Sequence, residues 1–438
     1  LRDLCIHHGL VLTMDQPGTI IEDGRVGVHD GRIVYCGPDQ ADPTPLSGYA
    51  RVLDARGGLI LPGLINGHTH AAMTLLRGLA DDLPLETWLT RHIFPAERHL
   101  TPEAVHRGTL LACAEMIKSG TTSFCDMYLF ADQVGRAVEE AGLRAVIGEV
   151  IYDFPSPSYG ELENGFRVSE DLLTAYRGHP RIRVAVMPHA PYTCSPPLWE
   201  RAGRLAADFG ADINTHLAET KVETAQILER YGKRPLEFLE GLGLVNQRLW
   251  IDHGVELNQA EIERLAAAGA RVALCTESNL KLASGLADLD AMVVAGLKAG
   301  LGTDGCASNN DLDLFGEMDT CAKVHKLVKM DPTAAPARTV LELCTRRAGQ
   351  AFGRDDLGEL RVGALADVIV IDTDQPHLTP MYNPYSHLVY AARGGDVIHN
   401  VCHGRVLMAD RVLETLDETE VLAKAREQAA ALVGRNSA

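Results

Sequence analysis

Between residues 59 and 304 the chain repeats one unit, a short apolar run followed by an amphipathic helix. The runs occupy 59–69, 122–127, 144–151, 184–189, 212–217, 249–254, 271–276 and 298–304. Strands that recur with a helix between them read as parallel βα units, because a parallel neighbour can be reached only by a crossover connection. Eight in succession predict a closed (β/α)8 TIM barrel, an α/β fold. Helices over 102–118, 198–209 and 259–268 each stop at a glycine, Gly120, Gly210 and Gly269, which suits the left-handed residue that ends a helix.

The flanks read differently. Residues 1–58 hold short strands at 9–14, 24–29 and 32–36, the last two joined through Asp30-Gly31. A second β-rich stretch covers 359–415, with apolar runs at 366–371, 397–401 and 405–412. The expectation is a small β-sandwich domain formed from both chain ends, a barrel over 59–358 and a C-terminal helix within 416–438. A chain of 438 residues suits one large barrel with a satellite domain.

Composition narrows the partners. A 46% hydrophobic content can bury a sizeable core. The formal charge of −18 would repel a nucleic-acid backbone or an anionic membrane, so neither is expected as a partner. None of the 10 cysteines forms a C-x-x-C pair, and reduced thiols in a cytoplasmic protein are the expectation. The first apolar stretch is interrupted by Asp3, His7 and His8, so it does not read as a secretory signal or a membrane span. A homo-oligomer is compatible with all of this.

Chemistry concentrates at the strand ends. Residues two apart on a strand face the same way, so His68 and His70 at the end of the first run can address one ion. His189, His216, His253 and Asp304 fall at the ends of four later runs, the face where barrel enzymes assemble their sites. Five of 17 histidines at such places is a poor fit to chance, although any one of them could be an ordinary hydrogen-bonded histidine.

The His68-Thr69-His70 strand end, Thr215-His216-Leu217-Ala218-Glu219, Asp252-His253-Gly254 and Gly302-Thr303-Asp304-Gly305 together resemble the amidohydrolase superfamily, in particular its methylthioadenosine/S-adenosylhomocysteine deaminases. The likeness spans nearly the whole chain. It implies His68, His70, His216 and Asp304 as ligands of one divalent metal ion, Zn2+ by donor type, with Glu219, His253 and Asp304 as catalytic groups. Three neutral imidazoles and a carboxylate leave an open position, and an ion there lowers the pKa of water toward ~7. The resemblance further implies a small-molecule nucleoside substrate, with Trp88 as an apolar wall, Glu97 accepting from two ribose hydroxyls, His189 toward the sugar or ring edge and Glu219 against the base. The reaction so implied is hydrolytic deamination. Glu219 protonates a ring nitrogen, Asp304 takes a proton from the attacking water and ammonia leaves. Two-metal relatives need a bridging lysine, commonly at the end of the fourth strand, and here no lysine lies between Lys118 and Lys221.

Two departures stand out. Relatives that take S-adenosylhomocysteine carry arginines near the end of strand three and in the next loop, whereas residues 145–165 contain no Arg or Lys, and Glu149 and Glu161 stand near the expected places. An S-adenosylhomocysteine carboxylate would find no cation there and would meet the like charge of Glu149 and Glu161, so an adenosine derivative with a small uncharged 5′ group is expected to be preferred. The other departure is Cys275-Thr276-Glu277, where relatives usually read Asn-Pro-Glu or similar before Ser278-Asn279.

Other readings remain in view. The same scaffold supports triazine or guanine aminohydrolases and chlorohydrolases, and a metal-containing barrel can serve as a non-catalytic binder. Gly300 to Gly305 matches a dinucleotide fingerprint by letter without its context, and Asp311-Leu312-Asp313 lacks the glutamate of a calcium loop, Ala322 standing there instead. Cys275 and Cys306 read as packing residues.

Overall fold

The apolar run at 59–69 does not fold as one strand. In the computed structural model, which describes residues 1–83 and 85–436, it divides at Gly63. A Cβ there would come within 2.2 Å of the Thr122 side chain, so only glycine lets the two segments cross. Leu59–Pro62 joins the sheet of the chain ends, between Arg2–Leu12 and Val368–Ile371. Leu64–Thr69 is β1 of the central unit.

The other central strands are β2 (Thr121–Tyr128), β3 (Arg144–Ile151), β4 (Ile182–Val184, resuming at Met187–Pro188), β5 (Ile213–Leu217), β6 (Leu249–His253), β7 (Arg271–Leu274) and β8 (Lys298–Leu301). All pairings among them are parallel and follow chain order. Hydrogen bonding gives one sheet over β1 to β4 and one over β5 to β8. A parallel bridge between Val186 and Ile213 joins them at one seam. At the other, Asp304 N–H donates to His68 O at 3.0 Å and Thr303 exchanges hydrogen bonds with the Asn66 amide at 2.8 and 3.0 Å. β7 and β8 end earlier than expected, since Thr276 already opens a helix and 302–304 leave the ladder to build the site.

The anticipated helices appear as Pro102–Lys118, Pro196–Phe209 and Gln259–Ala267. Gly210 closes the second in the left-handed region, φ 66°. Both chain ends meet in one nine-stranded sheet. The hydrogen bonds run through it without a break. Its inner face has an apolar core of its own, in which Ile6, Val26 and Val28 from one end of the chain meet Val368, Val370 and Val401 from the other. Helix Glu418–Asn436 lies against Pro102–Lys118 and buries Val421, Ala425 and Leu432. Among the described residues no helix is long and apolar enough to cross a membrane. All ten cysteines are free.

Candidate active site

His68 and His70 project from the end of β1 and His216 from β5, so three imidazoles reach the mouth of the barrel from opposite sides of the strand ring. Their ligand nitrogens lie within 4.8 Å of one another. The back of each ring faces an acceptor: His70 Nδ1 is 2.6 Å from Met127 O, His216 Nδ1 2.8 Å from His189 O and His68 Nδ1 3.1 Å from Asp252 Oδ2. Protons on these Nδ1 atoms leave the Nε2 lone pairs pointing at a common point.

That geometry fits a divalent ion. His70 and His216 present Nε2 atoms 3.3 Å apart. Zn–N bonds of about 2.0–2.1 Å in a tetrahedron place two nitrogens about 3.3 Å apart. Asp304 Oδ1 lies beside two of these nitrogens, 3.3 Å from His70 Nε2 and 3.5 Å from His68 Nε2. Both ring nitrogens of the fully buried His68 lack a well-formed hydrogen bond. Burial, with the charge on His68, pushes His70 down to about 4, and burial with the neighbouring imidazoles holds His216 well below its usual range. Burial also opposes charge on His68, yet Asp252 and Asp304 outweigh it and push that ring up to about 10. Two carboxylates thus call for a cation at the centre of a neutral imidazole set.

The groups beside this centre are held as closely. His253 Nε2 is 3.9 Å from Glu219 Oε2, and its Nδ1 is 3.0 Å from Asn279 Oδ1. Asp304 Oδ2 accepts from Ser278 Oγ at 2.6 Å and Ser308 Oγ at 3.0 Å, while Oδ1 accepts from Gly305 N–H at 2.8 Å. Ala218, His253 and Asp304 have φ of 54°, 72° and 62°, the left-handed region that a non-glycine residue occupies at a cost of ~1–3 kcal/mol. Burial raises the Glu219 carboxyl above its usual range, which favours a proton on it.

One cavity brings together His70, Trp88, Glu97, His189, His216, Glu219, His253 and Asp304, and the buried His68 supports it from behind. Each residue expected as a metal ligand, catalytic group or substrate contact is therefore at this mouth. Trp88 is fixed by Nε1 donating to Ala80 O at 3.1 Å. Glu97 ends the helix Phe94–Glu97 and is nearly buried, and burial pushes its carboxyl up to about 7 against the pull of Tyr128 beside it. His189 Nδ1 is 2.9 Å from Thr193 Oγ1, and its ring lies 4.9 Å from that of His216.

Two expectations need correction. Glu149 does not face the cavity as a repelling charge. Its carboxylate turns back on the loop after β2, where it accepts from Phe130 N–H at 3.3 Å and Ala131 N–H at 2.9 Å. Glu161 is exposed, at the start of helix Leu162–Ala175. The second half of the argument stands, because no Arg or Lys is found among the described residues lining the cavity. Arg144 pairs with Asp367 and Arg167 is exposed, so neither reaches in. The letter match at 300–305 also has a packing explanation: a Cβ on Gly302 would come within 2.6 Å of His68 N.

Sequence reasoning missed the residues behind the site. Asp252, held by the Asn214 amide at 2.9 and 3.1 Å, orients His68. Asp126 Oδ1 accepts from Thr69 Oγ1 at 2.8 Å and Ala71 N–H at 2.6 Å. Glu223 accepts from Ala218 and Glu219 N–H at 3.1 and 2.8 Å, which fixes the turn that presents Glu219. The one available signal was an acidic residue inside an apolar strand or on the apolar face of a helix, where a charge has no cheap place.

The amidohydrolase family matches residues 59–407. A 5-methylthioadenosine/S-adenosylhomocysteine deaminase of Syntrophobacter fumaroxidans is 53% identical over 425 residues, covering 97% of both chains. A 5′-deoxyadenosine deaminase of Methanosarcina mazei is 43% identical over 437 residues, covering 99% of both. Among solved structures, an adenosine deaminase from Xanthomonas campestris with bound zinc superposes with a TM-score of 0.95 at 38% identity and covers 99% of each chain.

Proposed function

The chain belongs to the amidohydrolase family, and from that premise we propose that it is a zinc-dependent deaminase of adenosine-type nucleosides with a small uncharged 5′ group. In this reading 5′-methylthioadenosine, 5′-deoxyadenosine or adenosine is converted to the inosine analogue and ammonia in preference to S-adenosylhomocysteine. The observation that carries it is the convergence of three imidazoles, Asp304, Glu219 and His253 on one cavity whose described lining has no cationic side chain. The carboxylate of S-adenosylhomocysteine would find no partner there.

We assign His68, His70, His216 and Asp304 to a single ion, with His189 at the end of β4 where a second ion would need a bridging lysine. When bound, the ion supplies Lewis acidity that brings a water's pKa toward ~7. Asp304, with Oδ2 tied to two serines, keeps Oδ1 on the reacting side to receive the proton of the attacking water. Glu219, favoured in its protonated form by burial, donates to the ring nitrogen next to the carbon under attack. His253 orients the water, and the amine departs as ammonia once it is protonated. Glu97 holds the ribose diol with its two oxygens, and Trp88 closes the apolar wall. The reading also assigns the chemistry to a barrel unit over 59–358, whose first four residues pair into the sheet of the chain ends, with a small β-sandwich of 1–58 and 359–415 and the helix within 416–438 as its support.

Steady-state ammonia release from the zinc-loaded protein on the four compounds tests this. The expected result is higher kcat/KM for the three uncharged 5′ groups. A preference for S-adenosylhomocysteine, or release from guanine or a triazine alone, would overturn it.

A further inference from the structure

A helix of six residues, Thr276–Lys281, leaves the end of β7 and touches the site twice. Ser278 Oγ donates to Asp304 Oδ2 at 2.6 Å, and Asn279 Oδ1 lies 3.0 Å from His253 Nδ1. Both side chains are buried. Behind the helix stands Glu317, whose fully buried carboxylate accepts from Thr276 N–H at 2.5 Å and Glu277 N–H at 3.2 Å. A proline at 276 would have no N–H to give. Threonine at 276 therefore gives this buried carboxylate a backbone donor beside the Glu277 amide, and its hydroxyl is a further one.

We propose that this helix is a positioning element of the deaminase site, in which Asn279 sets the orientation and tautomer of His253, Ser278 decides which oxygen of Asp304 faces the histidines, and Glu317 anchors both through Thr276. The proposal rests on the deaminase reading only for its kinetic consequence. His253 sits at φ 72°, a conformation that persists only where the surroundings impose it. Its Nδ1 has Asn279 Oδ1 as partner, so the proton stays on Nδ1 and Nε2 offers its lone pair toward Glu219, 3.9 Å away. Without that acceptor the ring can flip or exchange its proton between nitrogens, and the population with Nε2 as acceptor falls. Asp304 keeps Ser308 as a second donor, so loss of Ser278 weakens its hold without releasing it.

Asn279→Leu, close in size but unable to accept, is expected to lower kcat on 5′-deoxyadenosine by ~10- to 100-fold, the usual effect of removing a group that orients a ligand or catalytic residue. KM, zinc content and Tm should change little. Asn279→Asp keeps the acceptor and is expected to regain at least several-fold of that loss, which a purely structural role would not produce. Thr276→Pro suits the first position of a helix, removes the Thr276 donors to Glu317 and should lower kcat several-fold. It serves as the test if Asn279→Leu does not fold. A second readout is independent of turnover: imidazole 15N shifts of the zinc-loaded protein, with His253 assigned by its absence in His253→Asn. The wild type should show the Nδ1–H form and Asn279→Leu a mixture. Equal kcat in the Leu and Asp variants, or an unchanged His253 tautomer in Asn279→Leu, would overturn the proposal. A wild type that releases no ammonia would instead sink the deaminase reading and leave the tautomer measurement to decide this one.

Discussion

Where the strands of the barrel begin, Arg144 lies 2% exposed against Asp367, with two contacts at 3.0 Å, and Arg271 pairs with Asp212. Where the strands end, the buried acids Asp126, Glu149, Glu223 and Glu317 have no Arg or Lys salt-bridge partner among the described residues and are held by backbone N–H groups of neighbouring loops and helix starts. Both ends bury charge. One end neutralises it with cations and ties the barrel to the sheet of the chain ends, through Asp367 just before Val368–Ile371. The other relies on peptide dipoles, which fix loop shape without placing a cation beside the mouth. Burial shows the cost of that choice, pushing Asp126 up to about 6, Glu149 to about 7 and Glu223 to about 8.

The comparison breaks most visibly if charge at the mouth proves dispensable. Glu219→Gln should lower kcat by at least ~10²- to 10⁴-fold at unchanged zinc content, because an amide of the same shape cannot deliver the proton. His253→Asn should behave similarly. Near-normal kcat in either variant removes the assigned role. At the opposite end Arg144→Met should act on stability alone. It leaves Asp367 buried and unpaired at a cost of ~3–5 kcal/mol, read in a denaturant titration, with kcat/KM of the folded protein preserved. A small stability change with lost activity would erase the division between the two ends.

Glu97 sharpens the comparison on the substrate side. Glu97→Gln should lower kcat/KM for ribosides ~10- to 100-fold, since charge-assisted hydrogen bonds are worth ~1.5–3 kcal/mol. An unchanged ratio of riboside to 2′,3′-dideoxyriboside would rule out diol recognition. The smallest effect is in pH. With its carboxyl near 7, Glu97 is ionised above that pH and gains a proton below it. The acceptor form is lost as pH falls, so KM for ribosides should rise below about pH 7 and be flat above it. Glu97→Gln should flatten that profile, and a slope that survives the substitution belongs to another group.

The divide between what was legible and what was not follows the same physics. His68, His70, His216, His253 and Asp304 could be read because strand period and strand end place a side chain without knowledge of its neighbours. The break at Gly63 could not, since it depends on Thr122 crossing from another strand. Glu149 was misread for the same reason. Its position at the end of β3 was visible, but the Phe130 and Ala131 amides that draw it away from the cavity belong to the loop after β2. Asp252 was visible only as part of a motif with His253, and its contact with His68 needs β1 and β6 to face each other across the barrel. Side chains that touch what they act on were visible. Those that act through a partner's backbone were not.

The central claim is that one ion, held by three imidazoles and Asp304, drives the reaction. Zinc titration into metal-stripped protein, with ammonia release from 5′-methylthioadenosine followed at each step, tests it most directly. Activity should rise linearly and level off at about one zinc per chain. A plateau at two, or full activity in the stripped protein, would contradict the account.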